Sequence, residues 1–271
     1  MSPEQQQLFA RWQAFLEKLA ARLDETLAEA AAGLAQLVAA YPTDTLPLGN
    51  ALSGIGHRVD ELRDKIEKTW DQDVEDKFRD LDDDRFWDRG LDTKADAIRD
   101  LDEKWEALRV RVYGDLYRQA WHIAQKEMAQ PAGCTHCGAE LEKPLREPRS
   151  VACPYCRAVN QLFPGPATAM YFGGGPHAFA EEQALPLRFA VARNRIQADR
   201  WRRDRHWAQE PVESLRQWHD DELAYWTRYA DVHAQVLGGP RDAELIESRM
   251  SQFRRWNLEN QQQWVAAQRR A

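Results

Sequence analysis

Apolar residues recur at three- and four-residue spacing through most of the chain, the period of helices that turn one face to a core. The first stripe runs Leu8, Trp12, Phe15, Leu16, Leu19, Leu23, Leu27, Leu34 and Val38. Ser2, Pro3 and Gln5 predict its start: a hydroxyl cap, proline in the first turn and a glutamine placed to close a capping box. Tyr41-Pro42 predicts its end, because the residue before proline is pushed out of the helical region. Between the apolar positions Glu17, Asp24, Glu25 and Glu29 alternate with Arg11, Lys18 and Arg22, a mixture that favours a core-facing helix over a basic helix lying on a membrane.

Pro42, Pro47, Gly49, Gly54 and Gly56 predict a loop over 42–56 and a second helix beginning near Gly56. From there Val59, Leu62, Ile66, Trp70, Val74, Phe78 and Leu81 mark one stripe. After Gly90 another follows, Ile98, Leu101, Trp105, Leu108 and Val112, with the 3-4-3-4 spacing of a short coiled coil. One unbroken helix over 57–130 would be ~110 Å long at 1.5 Å per residue. A kink near Gly90 or Gly114 therefore decides between a rod and a compact bundle. Pro131 and Gly133 end this part.

Downstream, Pro164, Gly165 and Pro166, followed by Gly173-Gly174-Gly175-Pro176, predict an irregular return linker. Helix is expected again from about His177, with an interruption at Glu210-Pro211. Leu215, Trp218, Tyr225, Trp226 and Tyr229 carry the next stripe to Gly238-Gly239, and a last helix follows Pro240. The pattern as a whole predicts a mainly α fold: a long-helix bundle or an antiparallel coiled-coil hairpin, with a small β element inserted. Its parts are an N-terminal helical region, 1–130, an insert with its linker, 131–178, and a C-terminal helical region, 179–271, packing on the first.

Composition agrees with amphipathic helices. Among 271 residues 43% are apolar and 30% charged, too apolar a mixture for a disordered chain. The net charge of −7 argues against a protein that coats nucleic acid indiscriminately. The first residues carry no basic region leading into an apolar core, so no secretory signal is read and a cytoplasmic protein is expected. The Ala-rich segment 30–40 is too short for the about 20 residues that span a bilayer.

Every cysteine of the chain falls in two Cys-x-x-Cys pairs, Cys134/Cys137 and Cys153/Cys156. Two such knuckles can close four thiolates tetrahedrally around one ion, and in a reducing compartment they read as ligands rather than disulfides. One structural Zn2+ ion is expected, because four thiolates leave no open position for a reactive water. His136, inside the first knuckle, is expected to face solvent. Short strands over 139–141, 150–152 and 158–163 would pair behind the metal. The sequences Cys-x-x-Cys-Gly at 134–138 and Cys-Pro-x-Cys at 153–156 resemble the zinc-ribbon family over about residues 132–164. That resemblance implies a small β ribbon around a structural zinc. Arg157 stands where many ribbons carry glycine after the fourth ligand, and it presents a side chain that the pattern usually omits.

Charge is unevenly placed. Residues 71–103 hold fourteen acidic against six basic side chains, and residues 188–205 hold seven arginines against two aspartates. If Gln130 lies opposite Ala178 in a hairpin, Arg205 comes near Glu103 and most of the acidic run is left over. Arg193, Arg195, Arg200, Arg202, Arg203 and Arg205, with Arg157 on the ribbon, are the candidate contacts to a protein or nucleic-acid partner. Trp201 and Trp207 beside the arginines could stack on bases, whereas most of the eleven tryptophans occupy core positions of helices.

No phosphate loop, dinucleotide fingerprint, His-Glu-x-x-His pair or Glu-x-x-His motif is present. His219-Asp220-Asp221-Glu222 point in different directions if helical. The reading that follows is a non-catalytic helical scaffold or adaptor that engages protein partners, or a second copy of itself, through its ribbon and charged faces. A nucleic-acid-binding factor using the arginine segment is the alternative, and a redox-switched zinc chaperone the third.

Overall fold

A computed structural model describes residues 1–81, 83–203 and 212–268, with side chains for all of these except 196–203, 212–215 and 258–268. Helix α1 (Pro3–Ala40) begins on the expected capping box: Gln5 N donates to Ser2 Oγ at 3.2 Å and Ser2 N donates to Gln5 Oε1 at 2.7 Å. Most of its predicted stripe is buried, Trp12, Leu16, Leu19, Leu23, Leu34 and Val38, but Phe9 is buried as well, while Leu8, Phe15 and Leu27 are only partly so.

Helix α2 (Leu46–Thr69) starts ten residues earlier than expected, so the 42–56 loop shrinks to a turn at 41–45. Asp44 Oδ1 accepts from Leu46 N at 2.9 Å, and Pro47 sits in the first turn, where its missing N–H costs nothing. Leu48 and Leu52 are buried against α1 and the third long helix. Burying those leucines outweighs the roughly 1 kcal/mol that each helical glycine costs.

The chain reverses near neither Gly90 nor Gly114. After α2 come a π-helical turn (Trp70–Val74), the short α3 (Glu75–Arg79) and a turn, and then α4 (Asp84–Ala129) runs 46 residues through both glycines. Asp83 caps α4 by accepting from Phe86 N at 3.2 Å, and Gln5 Nε2 donates to the same carboxylate at 3.1 Å, tying the reversal to the start of α1. Gly90 serves close approach rather than bending: an added Cβ would lie 2.6 Å from the Phe78 ring, and Trp12 Nε1 donates to the Gly90 carbonyl at 3.3 Å. The result is a bundle of α1, α2 and α4 around two successive apolar clusters.

Helix α5 (Pro166–Arg203) occupies most of the expected return linker and continues through Gly173-Gly174-Gly175-Pro176. Tertiary packing explains this. Glu127 of α4 caps its N-terminus, its carboxylate accepting from Ala167 N at 3.2 Å, Thr168 N at 2.8 Å and Thr168 Oγ1 at 2.8 Å. Gly174 admits Tyr117, whose hydroxyl would lie 2.0 Å from an added Cβ. The C-terminal helical region thus starts at 166 instead of 179, and the seam with α4 shifts with it. Glu103 meets Arg193, 2.8 Å away and twelve residues before Arg205; Glu106 meets Arg188 and Glu182 meets Arg118. Burial would raise the Glu106 carboxyl, but Arg109 and Arg188 hold it below its usual range. Replacing Glu127 by alanine removes a charged cap, and a loss of about 2 kcal/mol in urea unfolding is expected. An unchanged midpoint would count against the capping role.

Helix α6 (Val212–Leu237) packs on α5 through Ala180, Ala184, Tyr225, Tyr229 and Val232. It closes at Gly238, φ +67, with Gly239 N donating to Ala234 O at 3.1 Å. Helix α7 (Ala243–Gln268) then returns on α6. The interruption expected at Glu210-Pro211 lies outside the described residues. Between α4 and α5 stand two antiparallel hairpins: β1 (Ala132–Gly133) with β2 (Glu140–Leu141), and β3 (Arg149–Ala152) with β4 (Val159–Leu162). β1 was not expected, and the strands form two separate pairs rather than one sheet. No described helix is long and apolar enough to cross a membrane.

Candidate metal centre

Each hairpin turns on one Cys-x-x-Cys knuckle, and the two knuckles repeat one hydrogen-bond scheme. In the first, Cys134 N donates to Ala139 O at 2.7 Å and Gly138 N to Cys134 O at 2.9 Å. In the second, Cys153 N donates to Ala158 O at 2.9 Å and Arg157 N to Cys153 O at 3.0 Å. The hairpins face each other so that all four sulfurs lie within 4.8 Å of one another. Cys134 Sγ is 3.6 Å from Cys156 Sγ, and Cys137 Sγ is 3.6 Å from Cys153 Sγ. Four sulfurs 2.3 Å from a central ion stand about 3.8 Å apart, so the cluster fits one tetrahedral metal ion. None of the four is in a disulfide.

Electrostatics point the same way. The backbone amides of Cys137 and His136 pull the Cys134 thiol down to about 6, and the Cys156 amide does most to lower Cys153. Cys156 is pushed up to about 12: the Ala158 amide favours its thiolate, but burial and three neighbouring sulfurs oppose it. Such a set cannot carry four negative charges unaided, and a bound cation relieves that repulsion.

The residue after the second cysteine of each knuckle is left-handed, Gly138 at φ +74 and Arg157 at φ +62. Arginine pays a steric cost there that glycine avoids, roughly 1 kcal/mol. Arg157→Gly is therefore expected to tighten metal binding about fivefold in a chelator competition, since metal binding and folding of the hairpins share one free energy. Equal or weaker binding would refute the strain.

Behind the sulfurs Leu141 and Leu162 close the site, one from each hairpin. Asn160 is buried beside them and locks one knuckle to the other. Its Oδ1 accepts from Thr135 N at 2.8 Å and Thr135 Oγ1 at 3.0 Å, while its Nδ2 donates to Ala158 O at 2.9 Å and reaches Cys134 Sγ at 3.5 Å. Sequence reasoning missed this residue. The signal was its place in β4: with period two, Asn160 and Leu162 face inward, and an inward asparagine must find partners. The outward set was missed as well. Tyr155, Val159, Phe163 and Leu145 are 79%, 72%, 64% and 46% exposed on the same small element. His136 is exposed and its ring is not among the grouped ligand atoms, although its amide reaches Cys134 Sγ. Lys143 Nζ donates to Glu127 O at 2.9 Å and fastens the module to the end of α4.

The other candidate residues do not converge. Arg193 is bonded to Glu103, Arg195 lies on the cleft between α4 and α5–α7, and Arg157 is exposed on the second knuckle. Of Arg200, Arg202 and Arg203 only the helical backbone is described, and Arg205 lies outside the described residues. Much of the acidic run is engaged internally: Asp71 with Lys94, Asp96 and Asp100 with Arg99, Asp102 with Arg63. In the 219–222 group, Asp221 accepts from Gln217 and Asn194, whereas Glu222 accepts from Trp226 Nε1 at 3.1 Å. No protein-family model, curated protein or solved structure matches the chain.

Proposed function

We propose that this protein is a cytoplasmic, non-catalytic helical adaptor whose cysteine module is a zinc ribbon that docks on a protein partner. The observation that carries the reading is the exposed apolar surface of Tyr155, Val159 and Phe163 on an element too small to waste it. Exposed aromatics of this kind are the usual anchors of protein interfaces. Four thiolates favour zinc among available divalent ions and leave no position for substrate, so the ion's part is structural. The neutralised arginines of the α4–α5 seam lend no support to a phosphate-binding face there.

Replacing Tyr155 and Phe163 together by serine tests the reading. Cross-linking and affinity capture should lose the partner bound by the parent protein by about tenfold or more, with zinc content and helical circular dichroism unchanged. Capture retained by the variant, or no zinc in protein purified under reducing conditions, sinks it.

A further inference from the structure

We propose that the cleft where α4 meets α5, α6 and α7 binds a small aromatic anion: a flat ring carrying a carboxylate or a phosphate. The cleft encloses about 1030 Å³, at the top of the range for small-molecule sites between helices. One wall is aromatic. Trp218 and Trp226 of α6 stand with Phe253 and Trp256 of α7, the Trp218 ring lying 5.0 Å from Phe253 and 6.5 Å from Trp256, both nearly edge-on. Such rings accept a planar guest without selecting its substituents.

The same cleft holds two guanidinium groups that form no ion pair with a described carboxylate. Arg249 lies 4.7 Å from the Trp226 ring centroid and makes no ion pair there. Arg195 makes no hydrogen bond or ion pair with a described residue and feels Glu222 only at longer range. Other cations of the cleft are already engaged, Arg188 by Glu106 and Arg99 by Asp96 and Asp100. The buried Trp218 indole N–H turns to the Glu222 carboxylate, which also accepts from Trp226 Nε1 at 3.1 Å. Of the acids that line the space, Asp102 is held by Arg63, and Glu222 is engaged by the indole N–H groups of Trp226 and Trp218. Glu67 lies on the α2 side. A ring against indole with its anionic group at Arg195 and Arg249 matches the aromatic wall and the two arginines that form no ion pair.

The probe is 8-anilinonaphthalene-1-sulfonate, an aromatic anion whose fluorescence rises on transfer to an apolar site. The full chain should bind one equivalent saturably, with energy transfer from tryptophan. Arg195→Gln combined with Arg249→Gln should weaken it about tenfold or more. Both arginines are exposed, so the fold is not at stake. The uncharged N-phenyl-1-naphthylamine should change within about twofold, because it offers the guanidiniums no anion. Displacement by N-acetyltryptophan assigns a carboxylate ligand, and displacement by adenosine monophosphate a phosphate. The Tyr155→Ser/Phe163→Ser variant should bind the probe normally, which separates this cleft from the cysteine module. Absence of a saturable site, equal affinity in the double arginine variant, or displacement by neither anion overturns the proposal.

Discussion

Chelating the metal, or replacing Cys153 by serine, is expected to unfold residues 131–165 while leaving the helical circular dichroism nearly intact. The hairpins hold only two- and four-residue strands, and the buried core of the module is Leu141, Leu162 and two of the cysteines themselves. Ordering about thirty residues costs roughly 1–2 kcal/mol for each backbone, far more than two leucines return. The zinc ion proposed for this site would supply about 10–16 kcal/mol, the range of structural zinc sites, and without a cation the thiols repel or protonate. The helices keep their own cores, which share no residue with the module. Hydrogen exchange with and without chelator is the measurement. Amides of β3 and β4 should lose protection and those of α1 and α2 should not. Equal protection of the strands in both states would falsify the dependence on metal.

Trp70→Ala should be the most damaging single change in the helical body, at about 3–5 kcal/mol. Trp70 is 1% exposed at the start of the π-helical turn, 5.5 Å from both the Trp12 and the Phe78 ring. Phe78 in turn stacks on Phe86 at 4.4 Å. This aromatic chain joins α1, the end of α2, α3 and the start of α4 at the place where the chain reverses. Losing the indole leaves a cavity that Gly90, itself in contact with the rings, cannot fill. A typical domain is stable by only 5–15 kcal/mol, so the loss is a large share of the total. Leu223→Ala, at an exposed position, should stay within about 0.5 kcal/mol. Urea unfolding of the two variants side by side decides it, and similar midpoints would reject the assignment.

Local chemistry made several features readable before any coordinates. The capping box needs only residues 2–5, and the period of α1 needs only its own stripe. The cysteine cluster was readable because two knuckles of fixed spacing leave four sulfurs little choice of geometry. Breaker residues misled at 42–56 and 162–176 because glycine and proline were weighed alone. Leu48, Leu52, Tyr117 and Glu127 lie far along the chain from the breakers they accommodate, or act only through contact, and their packing outweighs the propensity loss. One such error carried another with it: the early start of α5 at Pro166 shifted the seam by twelve residues, so that Arg193 rather than Arg205 meets Glu103.

The mainly α class, the inserted β element and the four candidate ligands follow from neighbouring residues alone, since periodicity, capping and knuckle spacing are local properties. Long-range packing sets where the chain reverses, which arginines the α4–α5 seam consumes, that Asn160 locks the two knuckles and that Tyr155, Val159 and Phe163 stay outside. Those outcomes depend on packing between residues distant in the chain, where the free energy of a contact exceeds the local preference of either partner.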